Sequence, residues 1–569
     1  MVAMVATMNR HLADQSGRIP QTGDVLLLET PFMSQTGGDE VRAYVQSKYN
    51  LALLALGSYL RAHSDLRVRL INMVKDRLTG EELIDRLRAS PPSVVGVPIY
   101  SYNLNESCRI LALIKETFPR THICVGGPHT GMFPAETIRL PYVDSMVLGD
   151  GEEPFLQICR HVSSNGRDAL DRLAFNDLPP GTVTKRSHAA GYQSKPWSAA
   201  DLDSLPIPDL SLLGDHRRYR DFLSDRVMAI LTTSRGCPYK CHYCSSESSS
   251  YRSFSIPRVI EIMRHYASQG VEYIEFWDET FNPNKRRLAE FADALLASGL
   301  KVPWGIRGSV VLHVPEDIMR KLKATGLRVM QFGVETSQPR LVKYLNKVID
   351  QPTIEQAFAS CHRAGVRTVA NLMTNIPGST REEMLADLDF LKRIKPTYVS
   401  ISVYNWAPGT SHYRDALRAS VLDRDHWREY AADPRGDEPV LHARTEVPID
   451  EVYRIRDDFV WAYYFNAPKI LGYLRHMEGR EIRRAFGVAL MMIRSRTRRA
   501  ADRLMNRLRG ASKSEHQVAG KHRIEESPNG SRHSPSSETE PARRLVEGMP
   551  DVSLMVLPSK ARVAGGVSQ

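Results

Sequence analysis

The sequence predicts an α/β protein in which a doubly wound parallel sheet precedes a partial, TIM-type (β/α)6 barrel and a helical C-terminal region. Two observations support this fold class. Short apolar runs alternate with amphipathic helical patterns in two separate series, as in parallel sheets that are covered by helices. In addition, 569 residues are too many for one hydrophobic core, so we expect several domains.

The first series contains five β-rich runs, which are separated by helical patterns such as "YNLALLALGSYLRAH". These runs begin at Val25, Val68, Ser93, His122 and Ser145. In doubly wound sheets, ligands bind outside the carboxyl ends of the strands. The loops "PIYSYN", "GGPHTG" and "GDGEEP", which follow the third, fourth and fifth runs, are therefore candidate binding loops.

The second series contains six β-rich runs, which begin at Arg226, Tyr273, Pro303, Arg328, Val366 and Tyr398. Six regular β/α units indicate a barrel or partial barrel, whose active site lies at the C-terminal ends of its strands. The stretch "RGCPYKCHYC" follows the first of these strands. The sequence therefore places three cysteines where such a barrel carries out its chemistry.

Composition shifts divide the chain further. A proline-rich stretch with little periodicity joins the two series, and the last residues are rich in Ser, Pro, Glu, Arg and Gly, which is typical of disorder. We expect a flexible N-terminus at 1–22, the first sheet at 23–160, a linker at 161–222, the barrel at 223–414, a helical cap at 415–478, a basic amphipathic helix at 479–510 and a disordered tail at 511–569.

The overall composition is that of an ordinary globular protein, with a hydrophobic fraction of 42%. The first residues lack a charged region followed by a long apolar run, and no stretch reaches the roughly 18 apolar residues of a membrane span. We therefore expect a cytoplasmic protein.

The chain has seven cysteines, of which three are crowded into "CPYKCHYC". The total is odd and the other four are scattered, so a disulfide framework is not expected. A structural zinc site needs four protein ligands, and only three thiols are present. A cubane iron–sulfur cluster that is held by three thiolates keeps one iron open to another ligand. This pattern favours an iron–sulfur cluster, while zinc and a chance grouping stay open as weaker alternatives.

The C-x3-C-x2-C spacing after the first strand of a β/α series resembles the radical S-adenosylmethionine (SAM) enzymes. The resemblance implies that Cys237, Cys241 and Cys244 hold a [4Fe–4S] cluster whose free iron chelates SAM. It also implies that electron transfer into SAM releases a 5′-deoxyadenosyl radical. An external electron donor, such as flavodoxin or ferredoxin, is therefore expected.

The resemblance extends to three later strand ends, "FWDETF", "FGVETS" and "NIPGSTREE". In the family these segments meet the methionine amino group, contact SAM from the fourth strand and approach its adenine. The residues that the resemblance assigns to SAM are Tyr243, Asp278, Glu279, Gly333, Glu335, Ile376 and Pro377. Each residue also has a plain structural interpretation as a solvated acid, a turn residue or a packing aromatic.

A doubly wound domain ahead of such a barrel resembles the cobalamin-binding radical SAM family, in which it forms a Rossmann-like cobalamin-binding domain. "VGGPH" and "LGDGEEPF" carry this resemblance, the second through a Gly-x-Gly-Glu signature. Glycines at strand ends let the backbone approach a large planar ligand closely. The candidate cobalamin contacts are Ser101, Tyr102, Gly126, Gly127, His129, Gly149, Gly151 and Glu152.

The first strand is followed by "TPFMSQTGGD", which contains no histidine. Methionine-synthase-like cobalamin domains carry Asp-x-His-x-x-Gly at this place, and that histidine binds cobalt. We therefore do not expect a histidine of this chain to bind cobalt, and we expect His129 to lie beside the cofactor or in solvent.

Together these resemblances imply a cobalamin-dependent radical SAM enzyme. We expect a methyltransferase that acts on an unactivated carbon of a small-molecule or lipid natural product, with methylcobalamin as the methyl donor to a substrate radical. Two alternatives stay open. One is cyclisation, rearrangement or oxidation without methyl transfer, and the other is a non-catalytic cobalamin or iron–sulfur sensor. No pattern identifies a proton-transfer residue.

The net charge of +11 does not indicate a nucleic-acid substrate, because residues 480–509 behind the barrel contain ten arginines against Glu481 and Asp502. The same segment places apolar residues on one helical face. They are Ile482, Phe486, Leu490, Ile493, Leu504 and Leu508. Such a helix either packs on the protein with a solvated basic face or lies on the inner face of an anionic membrane.

Overall fold

The computed structural model describes residues 24–31, 48–309, 314–436, 438–476, 479–487 and single positions up to 497. The predicted flexible N-terminus, the disordered tail and most of the loop after the first strand lie outside the described residues. About half of the predicted basic helix is described.

The N-terminal part contains a six-stranded sheet with the order β2-β1-β3-β4-β5-β6. Its first five strands are parallel, which confirms the predicted doubly wound sheet. Val25 to Leu28 of β1, which lies between β2 and β3, are fully buried, because helices cover both faces of the sheet. The strands are β1 (Asp24–Glu29), β2 (Arg67–Asn72), β3 (Val94–Pro98), β4 (His122–Gly126), β5 (Ser145–Val147) and β6 (Thr182–Thr184).

The helices of this part begin at recognisable caps. Asn50 accepts a hydrogen bond from the Leu53 N–H, and Thr79 and Glu82 form a capping box. The helices are α1 (Leu51–His63), α2 (Met73–Asp76), α3 (Gly80–Arg88), α4 (Leu104–Thr117), α5 (Pro128–Met132), α6 (Pro134–Arg139), α7 (Glu152–Asn165) and α8 (Lys185–Ala189).

The predicted linker, residues 161–222, contains more regular structure than its proline content indicates. It supplies β6, which pairs antiparallel with β5 and extends the first sheet. A strand of three residues is too short to produce a periodic pattern, so the sequence did not reveal it.

The second part is a six-stranded, fully parallel sheet with the order β14-β13-β12-β11-β10-β7. Its two ends do not pair with each other, so the predicted partial barrel is confirmed. A short antiparallel hairpin, β8–β9, follows the first strand. The strands are β7 (Met228–Leu231), β8 (Ser234–Arg235), β9 (Arg252–Ser253), β10 (Tyr273–Phe276), β11 (Trp304–Ile306), β12 (Leu327–Glu335), β13 (Arg367–Thr374) and β14 (Tyr398–Val403).

Helices cover the outer face of the barrel, and further helices follow its last strand. The barrel helices are α9 (Ile256–Ser268), α10 (Lys285–Ala297), α11 (Glu316–Ala324), α12 (Pro339–Tyr344), α13 (Gln351–Arg363) and α14 (Arg381–Ile394). The later helices are α15 (Ser411–Arg418), α16 (His426–Ala432), α17 (Ile449–Tyr464) and α18 (Ala467–His476).

Alternating side chains give the barrel an apolar outer face and a polar interior. On β12, Met330, Phe332 and Val334 are fully buried in the core, whereas Gln331 lies on the opposite face. The Gln331 amide donates a hydrogen bond to Asn371 Oδ1 (2.9 Å) and accepts one from Arg307 (3.2 Å). Polar groups therefore cross the interior from strand to strand.

The first part of the chain closes the open edge of the barrel at β7. Lys48 donates a hydrogen bond to Glu275 Oε2 at 2.8 Å, and Arg307 binds the other oxygen at 2.6 Å. Although burial opposes ionisation, Arg307 and Lys48 hold the pKa of Glu275 well below its usual range. The Tyr49 hydroxyl accepts a hydrogen bond from the Ile230 N–H at 2.7 Å. The hydroxyl thus satisfies a backbone N–H that a neighbouring strand would otherwise bind.

Within the part of the chain that the structure describes, no helix combines the length and the apolar character that crossing a membrane requires.

Candidate active site and cofactor loops

The three clustered cysteines lie in one loop at the C-terminal end of β7. This cysteine loop, residues 236–251, is closed at its base by the β8–β9 hairpin. Gly236 has φ 77°, and a Cβ atom there would collide with the carbonyl oxygen of Ser250. Cys237, Cys241 and Cys244 are half-buried free thiols. Glycine therefore lets the loop fold back on itself and present its thiols.

Burial raises the pKa of all three thiols, that of Cys241 to about 11. Glu279 and Glu335 lie close enough to Cys244 to raise its pKa further. A pocket that collects thiols and carboxylates suits a positively charged group, which would deprotonate the thiols. Among the described residues, no three His, Cys, Asp or Glu side chains converge on one metal ion. A [4Fe–4S] cluster takes one thiolate per iron, so the three cysteines fit a cluster better than a single ion.

The two acids of "FWDETF" have different surroundings. The Asp278 carboxylate accepts hydrogen bonds from the Thr233 N–H, the Thr233 hydroxyl and the Ser234 hydroxyl at 2.6–3.0 Å. It therefore braces the strand end that leads into the cysteine loop, and its contact with SAM stays a prediction. Glu279 accepts a hydrogen bond from the Ser246 hydroxyl at 2.9 Å and lies beside the cysteine loop.

The strand-end motif on β12 forms an ion pair that the sequence did not predict. Lys347 donates a hydrogen bond to Glu335 Oε1 at 2.8 Å and lies 3.4 Å from the Tyr243 hydroxyl. A Cβ atom on Gly333 would lie 2.5 Å from Glu335 Oε1 and 2.8 Å from Lys347 Nζ. Gly333 thus leaves the space in which this pair lies. Lys347 follows α12 rather than a strand, so no strand-end pattern identified it.

The "NIPG" turn after β13 brings Ile376 next to the same site. Ile376 is buried in an apolar cluster against which Tyr243 packs. Asn375 and Gly378 have positive φ angles of 59° and 73°, so the backbone turns sharply on either side of Ile376 and Pro377. The turn brings an apolar surface to the cysteine loop.

Helix α15, which leads into the helical cap, holds the other side of the cysteine loop. The Ser411 hydroxyl donates a hydrogen bond to the Glu247 carboxylate at 2.7 Å, and the His412 N–H donates to the His242 carbonyl at 3.0 Å. The Asn346 amide also donates to the Lys240 carbonyl at 2.7 Å. The loop is therefore fixed by α15 as well as by the barrel.

Two of the predicted cobalamin glycines serve the fold itself. Gly127 has φ 93°, and a Cβ atom there would lie 2.9 Å from the Ile99 carbonyl oxygen. At Gly149, with φ 86°, a Cβ atom would collide with the Trp197 carbonyl. Gly126 differs, because a Cβ atom there would meet nothing closer than 3.9 Å. A side chain would thus fit at Gly126 but not at Gly127 or Gly149.

His129 and Ser101, two of the predicted cobalamin residues, contact each other near the end of β4. The Ser101 hydroxyl lies 2.9 Å from His129 Nδ1, and both residues are buried. Burial lowers the pKa of His129 to about 4, so the imidazole is neutral. Its Nε2 atom is buried without a hydrogen-bond partner among the described residues. An unsatisfied buried nitrogen beside a strand end fits a site that receives a large polar cofactor.

Tyr102 follows Ser101 in the chain and lies at the protein surface. Its ring is 41% exposed and stacks on Tyr100, with the ring centroids 5.1 Å apart. An exposed aromatic stack is suited to cover a flat ligand. Glu29 lies nearby at the end of β1, where burial raises its pKa to about 7.

Glu152 faces the barrel, not the cobalamin loops. Its carboxylate binds Arg235 at 2.5 Å, and the neighbouring Asp150 binds Arg235 at 3.1 Å and Arg252 at 2.8 Å. A direct contact of Glu152 with cobalamin stays a prediction, since the carboxylate is engaged by Arg235. Arg235 directly precedes Gly236 and Cys237. The sequence feature that could have revealed its contact with Glu152 was the opposite charge of Arg235 and the acidic "GDGEE" stretch.

A cavity of about 200 Å³ lies at the other, N-terminal end of the barrel strands. Arg226, Arg328, Arg367 and Glu481 are among the residues that line it. The loops that carry the candidate site residues are at the opposite end, where barrel enzymes place their active sites.

Two family models match the chain. The Radical SAM superfamily matches residues 231–391, and the B12 binding domain matches residues 41–158. The first range contains the cysteine loop and the strand ends with Glu279, Glu335 and Ile376. The second contains His129 and the "GDGEE" stretch.

The relatives include proteins that are named methyltransferases and proteins that are named cyclases. The chain is 27% identical to an uncharacterized methyltransferase of Pyrococcus horikoshii over 67% of this chain and 81% of that protein. It is 24% identical to an anaerobic magnesium-protoporphyrin IX monomethyl ester cyclase of Rubrivivax gelatinosus over 63% of this chain and 65% of that protein.

A solved structure shares the fold. It is the radical SAM methyltransferase TsrM of Kitasatospora setae with cobalamin and a [4Fe–4S] cluster bound, with a TM-score of 0.61 and 14% identity over 84% of this chain and 99% of that chain. A radical SAM domain uses a [4Fe–4S] cluster and SAM, and a B12-binding domain uses cobalamin, so these are the cofactors of the chain. The chain belongs to the radical SAM enzymes that carry a B12-binding domain.

Proposed function

We propose that the protein is a cobalamin-dependent methyltransferase that acts on an unactivated carbon of a small molecule. The observation that carries this proposal is the direct contact between the hairpin at the base of the cysteine loop and the Gly-x-Gly-Glu loop, through Arg235 and Glu152. Two cofactors that act on one substrate must be held next to each other. When bound, the cluster and SAM supply a 5′-deoxyadenosyl radical, and cobalamin supplies the methyl group.

The residues of this chain would divide the binding work. Cys237, Cys241 and Cys244 would hold the cluster. Glu279 and the Glu335–Lys347 pair would bind the charged groups of SAM, because carboxylates beside the cysteine loop suit its ammonium and sulfonium charges.

Other residues would bind the adenine of SAM and cobalamin. Ile376, Pro377 and Tyr243 would pack against adenine. Ser101, Tyr102, Gly126 and His129 would surround cobalamin.

The barrel interior supports a polar substrate over an apolar lipid. Gln331 and Asn371 line it, and Ser400 and Ser402 on the same face of β14 are exposed. An apolar molecule that covered the exposed Ser400 hydroxyl would deprive it of hydrogen bonds to water, at a cost of about 1–3 kcal/mol. A small molecule with hydrogen-bonding groups would satisfy this hydroxyl.

Anaerobic reconstitution tests the proposal. The protein is supplied with iron, sulfide, cobalamin, a reductant and SAM, and 5′-deoxyadenosine is measured together with the visible spectrum of bound cobalamin. We expect both signals, and we expect the Cys237→Ala, Cys241→Ala, Cys244→Ala triple variant to lose iron and 5′-deoxyadenosine while it keeps cobalamin. Cys361→Ala is the control, because Cys361 is buried in the core away from the loop. Absence of both signals from the unchanged protein would refute the proposal.

A second candidate is cyclisation or oxidation without methyl transfer. The similarity to the Rubrivivax gelatinosus cyclase favours it. The mass of the product separates the two functions, because methyl transfer adds one CH2 to the substrate and the second candidate adds none.

We also infer two contacts outside the active site. Reduction of the cluster needs an external one-electron donor such as flavodoxin or ferredoxin. The described part of the basic segment supports contact with an anionic membrane surface, because Phe486, Leu490 and Ile493 are exposed next to several arginines. The cytoplasm, at the inner face of the membrane, is the location that would suit both contacts.

A further inference from the structure

Four charged side chains join the two cofactor loops. The GDGEE loop, residues 149–153, contributes Asp150 and Glu152, and the hairpin at the base of the cysteine loop contributes Arg235 and Arg252. We call these four residues the clamp. Since the two arginines lie on paired strands, β8 and β9, the clamp holds both ends of the cysteine loop.

The clamp is balanced in charge and largely shielded from solvent. The exposed side-chain fractions are 24% for Arg235 and 7% for Glu152. Asp150 also accepts a hydrogen bond from the Ala199 N–H at 3.0 Å, and Arg252 donates to the Ala199 carbonyl at 2.7 Å. Removing one member of such a group leaves an uncompensated charge, which is more disruptive than losing an exposed pair.

The clamp also connects directly to residues that would touch the cofactors. Arg235 is two positions before Cys237, and Gly236 between them has a backbone conformation that only glycine adopts easily. On the other side, Gly149 is fixed by the close approach of the Trp197 backbone. A displacement of either loop would therefore be transmitted to the other.

We propose that Arg235 is a positioning residue, which holds the cysteine loop against the GDGEE loop and thereby couples the binding of SAM to the binding of cobalamin. This inference rests on the proposed function. Since coupling between two binding sites is reciprocal, each cofactor would strengthen the binding of the other by the same factor. Arg235 itself would touch neither cofactor.

The test compares the dissociation constant for SAM with and without cobalamin. Protein with a reconstituted cluster is titrated with SAM by equilibrium dialysis, in the absence of cobalamin and in the presence of saturating hydroxocobalamin. We expect cobalamin to tighten SAM binding at least about fivefold in the unchanged protein, which is the lower range of such coupling. In Arg235→Gln we expect the ratio of the SAM dissociation constants, without and with cobalamin, to fall below about twofold. The coupling between the two sites would then be largely lost.

Two further variants keep the test decisive if Arg235→Gln is poorly folded. Glu152→Gln removes the charge from the other side of the clamp, and we expect it to lower the ratio as well. Arg235→Lys keeps the charge but loses the fork of two N–H groups, so we expect an intermediate ratio. Circular dichroism identifies the variants that are folded.

The matched control is Arg367→Gln. Arg367 forms a two-point ion pair with Glu481, with exposed fractions of 21% and 8%, at the N-terminal end of the barrel. A general loss of stability would affect this variant as much as Arg235→Gln, but we expect it to keep the full ratio.

Each outcome has a defined meaning. Coupling that is lost in the clamp variants alone supports the proposal. An unchanged protein that binds both cofactors without coupling, or an Arg235→Gln variant that keeps the ratio, overturns the role of Arg235 only. An unchanged protein that binds neither SAM nor cobalamin overturns the proposed function itself.

Discussion

At the scale of single residues, Gly333 matters because it has no side chain. It leaves room for the Glu335 carboxylate and the Lys347 ammonium group, which meet above it. Both groups are the far ends of flexible side chains, so an added methyl group would move them at little cost to the fold.

We predict that Gly333→Ala weakens SAM binding about tenfold. The displaced Glu335–Lys347 pair would lose one charge-assisted hydrogen bond to SAM, which corresponds to about 1.5 kcal/mol. The free energy of unfolding should change little. SAM titration and urea unfolding measure the two quantities. Gly131→Ala serves as the control, since a Cβ atom there would meet nothing within 4 Å. Equal SAM affinity in Gly333→Ala and the unchanged protein would contradict the prediction.

Glu29 predicts a particular dependence of stability on pH. Burial raises its pKa from 4.5 to about 7, against hydrogen bonds from the Asn50 N–H and the Asn72 amide. A carboxyl group with a higher pKa in the folded state stabilises the fold most below pH 4.5. That contribution is lost as the pH rises towards about 7, because the folded state must then hold a buried charge.

The variant Glu29→Gln should remove this dependence. Relative to the unchanged protein, we expect its free energy of unfolding to increase by up to about 3 kcal/mol between the acidic and the alkaline end of this range. Urea unfolding at several pH values measures the difference. Parallel pH profiles for the two proteins would show that Glu29 does not titrate in this way.

The sequence pointed to residues in motifs but not to their partners. The cysteines and Glu335 became candidates because each occupies a recognisable place after a strand. Lys347 and Arg235 were missed because their importance comes from contacts between distant segments. Asp278 was assigned to SAM, yet the strand end that it braces uses its carboxylate.

At the scale of elements, β7 depends on a side chain from the other half of the molecule. Tyr49 precedes α1, and its hydroxyl satisfies the Ile230 N–H on the outer edge of β7. Nearby, Lys48 reaches Glu275 on β10. These two contacts join the first sheet to the barrel.

We predict that Tyr49→Phe lowers the free energy of unfolding by about 1–3 kcal/mol, the cost of a buried backbone group without a partner. Tyr453→Phe is the control, because its hydroxyl meets His442 in a partly buried place within the cap region. We expect a smaller loss there. Losses of the same size in both variants would argue against a special role for Tyr49.

The regular elements were predictable because their signals are local. All five parallel strands of the first sheet and all six strands of the barrel were identified by their apolar runs. The strand β6 and the hairpin β8–β9 were missed, because segments of two or three residues form no periodic pattern.

At the scale of the whole molecule, the described part of the basic segment has two contrasting faces. Glu481 binds Arg367, and Arg484 binds Asp225, so one face attaches to the barrel. Phe486 on the other face is 72% exposed. The segment thus presents an apolar residue among arginines to the surroundings.

We predict that the protein floats with vesicles that contain anionic lipids and that Phe486→Asp reduces the floating fraction several-fold. The control is Val348→Asp, because Val348 is an equally exposed apolar residue outside the basic segment. We expect Val348→Asp to float like the unchanged protein. Flotation that is equal for all three proteins, or that is absent throughout, would rule out membrane contact through Phe486.

The covered edge of β7 has a consequence for the expression of shortened forms. A strand edge with unpaired N–H and C=O groups is a template for pairing with a second chain. If the barrel were produced without residues 1–222, the Ile230 N–H would lose the Tyr49 hydroxyl and β7 would become such a template. Aggregation, rather than a soluble half-enzyme, is therefore the expected fate of an isolated barrel, and dissection of this protein by domains is best done with point variants in the full chain.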